Sequence, residues 1–141
     1  MRLYHPDGRS TAYLGRLRAV RKSGSGASAG VFTVNRLSLD SYTAGVTPRE
    51  MPASWARQAV AAQAVAARTY GLYAVRHPRA RSYDICDTTS CQVYGGHVHY
   101  GPHGGVVSVD DPQAARDTAG RVLTYGAVSY THLTLPTKRI V

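Results

Sequence analysis

The stretch SWARQAVAAQAVAARTYGLYAVR, from Ser54 to Arg76, reads as one long helix. Nine alanines fall between Ala53 and Ala74, and alanine has the highest helix propensity of any residue. Ser54 reads as the N-cap, so a helix is expected over Trp55–Arg76. Alanine on every side gives the helix no broad apolar stripe. It lets neighbours approach closely instead, which predicts a central helix with strands packed on both sides.

Outward from the helix the signals alternate. Residues 1–22 read as strand-bearing, with Tyr13, Leu14, Leu17 and Val20 as apolar positions. Ser23–Gly30 is a loop by composition, and Val31–Leu39 a strand. Asp40 and Ser41 open a short element of one or two helical turns carrying Tyr42 and Val46. Pro48 and Pro52 bracket Thr47–Pro52, which reads as a stiff, non-helical loop. Beyond His77-Pro78, Ser82–Gly96 reads as irregular loop with a short strand, and His97–Gly105 as solvent-facing. Asp110 or Asp111, Pro112 and Gly120 carry the start and stop signals of a further helix. RVLTYG (Arg121–Gly126) reads as a strand. The expected fold is α+β: one long Ala-rich central helix against short, mostly antiparallel strands, in a single domain.

The chain has 141 residues, enough for one domain with its own core. With 43% hydrophobic and 18% charged residues, it is neither disordered nor a coiled coil. No run approaches the apolar length of a membrane span, and the first residues show no signal-peptide pattern. Net charge is +9 and the pI about 10.0, which favours a polyanionic partner. Arg16, Arg18, Arg21 and Lys22 form one local cluster, and Arg76, Arg79 and Arg81 a weaker one. No zinc-finger, RNP or helix-turn-helix signature accompanies them, so a nucleic-acid role rests on charge alone and an anionic surface such as a cell wall fits as well. The acids are seven Asp and a single Glu, Glu50.

Glu50 could be a salt-bridge partner among many arginines. Its place between two prolines, before a long helix, also suits a carboxylate held at a groove. A helix N-terminus favours the charged carboxylate. General-acid work needs the protonated form, which only desolvation by neighbours such as Met51 and Trp55 would supply.

Leu37–Trp55 (LSLDSYTAGVTPREMPASW), followed by AVAAQAVAARTYGL (Ala59–Leu72), resembles the SpoIID/LytB family, named for stage II sporulation protein D. CDTTSCQVYGG (Cys86–Gly96) is similar to that family's CQVY segment, and AARDTAGRVLTY (Ala114–Tyr125) to its later strand entry. The resemblance runs from about Arg36 to Tyr125. It implies a lytic transglycosylase that cuts peptidoglycan between N-acetylmuramic acid and N-acetylglucosamine without a cofactor, with Glu50 in the Pro-x-Glu-Met-Pro motif as the catalytic acid. The alternative it leaves is a non-catalytic wall-binding domain that stimulates a peptidoglycan amidase. Glycan strands, an amidase partner and an extracytoplasmic, wall-associated location follow from the family. Hydrolytic glycosidases usually use two carboxylates, whereas a lytic transglycosylase can work with one. Its acid protonates the glycosidic oxygen, and the muramoyl 6-hydroxyl closes a 1,6-anhydro ring.

By the same resemblance Arg68, Gln63, Gln92 and Tyr94 are candidate glycan contacts. Arg68 serves equally as a structural anchor, and Gln63 and Tyr70 as core contacts. Many relatives have a Lys where this chain has Ala61. Cys86 and Cys91 admit a disulfide, packed thiols, or a zinc site completed by His97, His99 or His103. Relatives often carry a histidine where this chain has Ser90. The domain is expected over residues 1–126. The segment 127–141 has no family counterpart, reads as appended sequence, and is expected to pack poorly.

Overall fold

The computed structural model describes residues 1–22, 30–109, 113–125 and 128–129. Three short or mid-length strands come first: β1 (Arg2–Tyr4), β2 (Ser10–Ala12) and β3 (Arg16–Lys22). β4 (Gly30–Arg36) follows, then helices α1 (Leu39–Glu50) and α2 (Arg57–Arg76). The chain continues through β5 (Val98–Tyr100), β6 (Val106–Val109), α3 (Gln113–Asp117), β7 (Thr124–Tyr125) and β8 (Val128–Ser129). All described pairing is antiparallel: a sheet in the order β1-β2-β5-β6, a β3–β4 ribbon, and a small β7–β8 pair. This is an α+β domain.

The long helix ends where expected but starts late. Its N-cap is Ala56, with no side-chain cap, so Ser54 does not cap it. The Ala-rich surface meets α1 and α3 rather than strands on both sides. Val60, Ala64, Ala67, Arg68, Thr69, Gly71 and Ala74 are buried. A side chain at Gly71 would stand 2.9 Å from both Leu39 and the Tyr42 ring. That bare position is what lets α1 come so close.

α1 departs most from the expected pattern. Its cap is Ser38, whose hydroxyl accepts from the Ser41 amide, and it runs three turns rather than one or two. It passes through Pro48, so the expected stiff loop is helix up to Glu50. A proline in the last turn forfeits one amide donor, and packing on both sides outweighs that loss. Six successive residues, Tyr42 to Thr47, are buried. The hydroxyls of Thr43 and Thr47 donate to carbonyls one turn back, Leu39 and Thr43, at 2.8 Å each. The core joins Tyr42, Val46 and Ala67, with Leu37, Leu39, Ile85 and Tyr94 packed around them.

Other corrections follow the same logic of tertiary contact. Residues 82–96 contain no strand, and His97–Gly105 is not simply solvent-facing, because β5 is an inner strand of the four-stranded sheet. The late helix is α3, ending before Gly120, which has φ of +71°. Its expected cap residues, Asp110, Asp111 and Pro112, lie outside the described residues, as does the loop at 23–29. Of the 127–141 segment, Val128 and Ser129 pair with β7. Its remaining residues, Leu133, Leu135 and Ile140 included, lie outside the described ones.

Candidate functional site

Glu50 is the last residue of α1, exposed, and not part of a loop before α2. It therefore stands at the carbonyl end of a helix, and the expected N-terminal field does not apply to it. Its Oε1 accepts a hydrogen bond from the Val93 amide at 3.3 Å. Of the two apolar neighbours, Met51 is half-buried and Trp55 is 58% exposed. Just below, Tyr42 is buried, and burial, aided by the nearby Tyr70, Glu50 and Tyr94, pushes its phenol pKa up. Its hydroxyl donates to Gln92 Oε1 at 2.9 Å. Tyr42 is the site residue that sequence reading missed. The signal was slight: Tyr42 stands about two turns before the glutamate, between Ser41 and Thr43.

Val93 can hold Glu50 because its own segment is fastened. Cys86 and Cys91 form a disulfide, with Cα atoms 5.6 Å apart. The Cys91 amide donates to the Thr88 carbonyl at 2.9 Å. Tyr94 then stacks on Tyr42, centroids 5.8 Å apart and planes at 23°, and its hydroxyl accepts from Asn35 Nδ2 at 3.0 Å. A side chain at Gly45 would collide with the Tyr94 ring, so the glycine in α1 is what admits this stack. Arg49, beside Glu50, lies over Gly95 and donates to Nε2 of His99.

The candidate contacts therefore divide. Gln92 and Tyr94 are brought to Glu50 by the fastened segment, each half-buried with a polar atom engaged inside the fold. Gln63 is half-buried on α2. Arg68 is placed elsewhere: it is 1% exposed and acts as an interior anchor rather than a groove residue. Its Nε donates to Asp40 at 2.8 Å, Nη2 to the Ala115 carbonyl at 2.8 Å, and Nη1 to Thr118 and the Arg121 carbonyl at 3.2 Å each. A guanidinium buried among four acceptors ties α1, α2 and α3 together.

The histidines are dispersed. His97 lines a pocket with Asp40, Ser41 and Arg116 at the first turn of α1, away from Glu50. His99 faces Arg49, and His103 is exposed. With both sulfurs joined to each other, Cys86 and Cys91 do not meet His97 as a ligand set, and the described residues contain no cluster of three metal-ligating side chains. No helix among them is long and apolar enough to cross a membrane.

The family model described as Stage II sporulation protein, SpoIID, matches residues 27–125. An uncharacterized protein of Brachyspira hyodysenteriae (strain ATCC 49526 / WA1) is 42% identical over 67 residues, which is 47% of this chain and 18% of that protein. The "Amidase enhancer" of Bacillus subtilis (strain 168) is 40% identical over 81 residues, 57% of this chain and 10% of that protein. The chain thus spans less than a fifth of either relative's length. No solved structure matches it. The match to the SpoIID model contains Glu50, the disulfide and the Arg68 anchor together, and this chain belongs to the Stage II sporulation protein family, SpoIID.

Proposed function

We propose that the domain acts on peptidoglycan outside the cytoplasmic membrane, as a lytic transglycosylase with Glu50 as its one acid and base. The cell-wall part of this reading is supported by family membership and by the relative named amidase enhancer. The catalytic part is carried by one observation: the chain's single glutamate stands exposed at the end of a packed helix, held by a backbone amide. Glu50 gives its proton to the glycosidic oxygen as the bond to muramoyl C1 breaks. The muramoyl 6-hydroxyl then attacks C1, and the same carboxylate takes the hydroxyl proton. The products are a free 4-hydroxyl and a 1,6-anhydro ring, with no water consumed and the carboxyl group restored. One carboxylate suffices for both transfers.

Purified glycan strands lacking stem peptides are the test substrate. Incubation with the chain should yield 1,6-anhydromuramoyl ends by mass spectrometry, and Glu50→Gln should abolish them. Ordinary reducing ends, or full activity in Glu50→Gln, would defeat the mechanism.

A second reading, a wall-binding domain that stimulates a peptidoglycan amidase, is favoured by the exposure of Glu50, because general-acid catalysis is best served in a site that excludes water. It predicts that wild type and Glu50→Gln pellet equally with cell walls and raise amidase turnover equally, with no anhydro product from either.

A further inference from the structure

We propose that the β3–β4 ribbon is a docking surface for a linear phosphodiester polymer of the cell wall. The proposal rests on the cell-wall reading above but not on catalysis by Glu50. Arg16, Arg18, Arg21 and Lys22 on β3 and Arg36 on β4 are all exposed. From Gly8 to Leu39 the sequence contains no acidic residue. Elsewhere three acids hold cations, in the pairs Arg9–Asp7, Arg57–Asp117 and Arg68–Asp40. The five ribbon cations have no ion pair or side-chain hydrogen bond among the described residues.

Register concentrates the charge. Arg16 stands directly opposite Arg36, and Arg18 follows on the same face opposite Val34. Like charges across an antiparallel pair destabilise it, and an anion laid over them reverses that effect. Successive same-face residues lie about 7 Å apart, so Arg16, Arg18 and Lys22 make a row of about 20 Å, interrupted at Val20, while Arg21 lies on the opposite face. A row of that length suits an extended polymer with repeating charge better than a small anion. Guanidinium forks match phosphate oxygens bidentately. Nucleic acid carries the same phosphodiester charge, but single strands are gripped by stacking on exposed aromatic rings. The ribbon's one aromatic, Phe32, is half-buried and packed edge-on against Tyr83 at 5.8 Å.

The test is co-sedimentation with cell walls carrying phosphodiester polymers, and with the same walls stripped of them by hydrofluoric acid. Wild type should bind intact walls at least about 10-fold tighter than stripped ones. Its binding should weaken steeply with salt, as counterion release requires. The triple variant Arg16→Gln/Arg18→Gln/Arg36→Gln should fall to the stripped-wall level on intact walls and lose about two from the logarithmic salt slope. The triple Arg→Lys variant, which keeps the charge but loses the fork, should bind more weakly than wild type and more tightly than the triple Gln variant, and Arg79→Gln/Arg81→Gln should bind like wild type. Glu50→Gln should also pellet normally, so that failure of catalysis and failure of docking read out separately. Equal binding to stripped walls, an unaffected triple Gln variant, or tighter binding to single-stranded DNA than to intact walls would each overturn the proposal.

Discussion

Replacing Arg68 by alanine removes the one group that four acceptors share. Breaking a buried charged network typically costs about 3–5 kcal/mol, so Arg68→Ala should lose about 4 kcal/mol in urea unfolding. Asp40→Asn should cost about 1 kcal/mol at most, because the Asp40 carboxylate is 55% exposed although its partner is buried. Equal losses would mean that the ion pair, not the carbonyls of Ala115 and Arg121, is what Arg68 provides. Tyr42 gives a pH signature. Its phenol pKa is raised by burial first, so the folded state keeps that proton after the unfolded chain has released it. Stability should therefore fall as pH climbs beyond about 10, the unfolded phenol value. Tyr42→Phe should flatten that decline in urea midpoints measured across the range.

At the scale of elements, the short loop closed by Cys86 and Cys91 sets the place of Val93 and so of the Glu50 carboxylate. Cys86→Ser/Cys91→Ser should lose about 2 kcal/mol by urea unfolding, and reductant should reproduce the loss in the native chain. The contact between α1 and α2 is set by glycine. Gly71→Ala should destabilise by about 1–3 kcal/mol through overpacking against Leu39 and Tyr42, read in the same way. These elements were unequally legible. α2 was plain from its alanines and β4 from its β-branched residues, because local propensity and final structure agree there, while β3 was legible only as part of a strand-bearing stretch. α1 was misread because Pro48 signals a break locally, while burial of six successive residues on a crowded helix overrides that signal. The inner strand β5 hid in a His- and Gly-rich stretch, since its strand character comes from pairing with β2 and β6. Glu50 was legible as a candidate, being the sole glutamate. Its support was not, because the Val93 amide that holds it, and the Gln92 that meets Tyr42, come from more than forty residues further along the chain. Arg68 could not be assigned between anchor and groove until its partners on α1 and α3 were seen.

For the molecule as a whole, charge and a thin core act together. Among the described residues, five of the eight buried hydrophobic ones are alanines, which contribute little apolar area, while the net charge of +9 repels itself. Raising salt from about 0.05 to 0.5 M should therefore raise Tm through screening, with a smaller rise in the Arg16→Gln/Arg18→Gln/Arg36→Gln variant. A scanning calorimeter checks both. There is also a mechanical side to the Arg68 anchor. Asp40 and Glu50 sit at opposite ends of α1, about 15 Å apart along the axis, so the helix is a rod bolted at one tip and carrying the carboxylate at the other. A tilt of about 4° at the bolt swings Glu50 by about 1 Å, a misplacement that on the proposed catalytic reading would slow the reaction about 100-fold. If Glu50 is the working carboxylate, engineers who protect only its neighbourhood would be caught out by substitutions on α3 that loosen the Arg68 anchor at the far end of the rod.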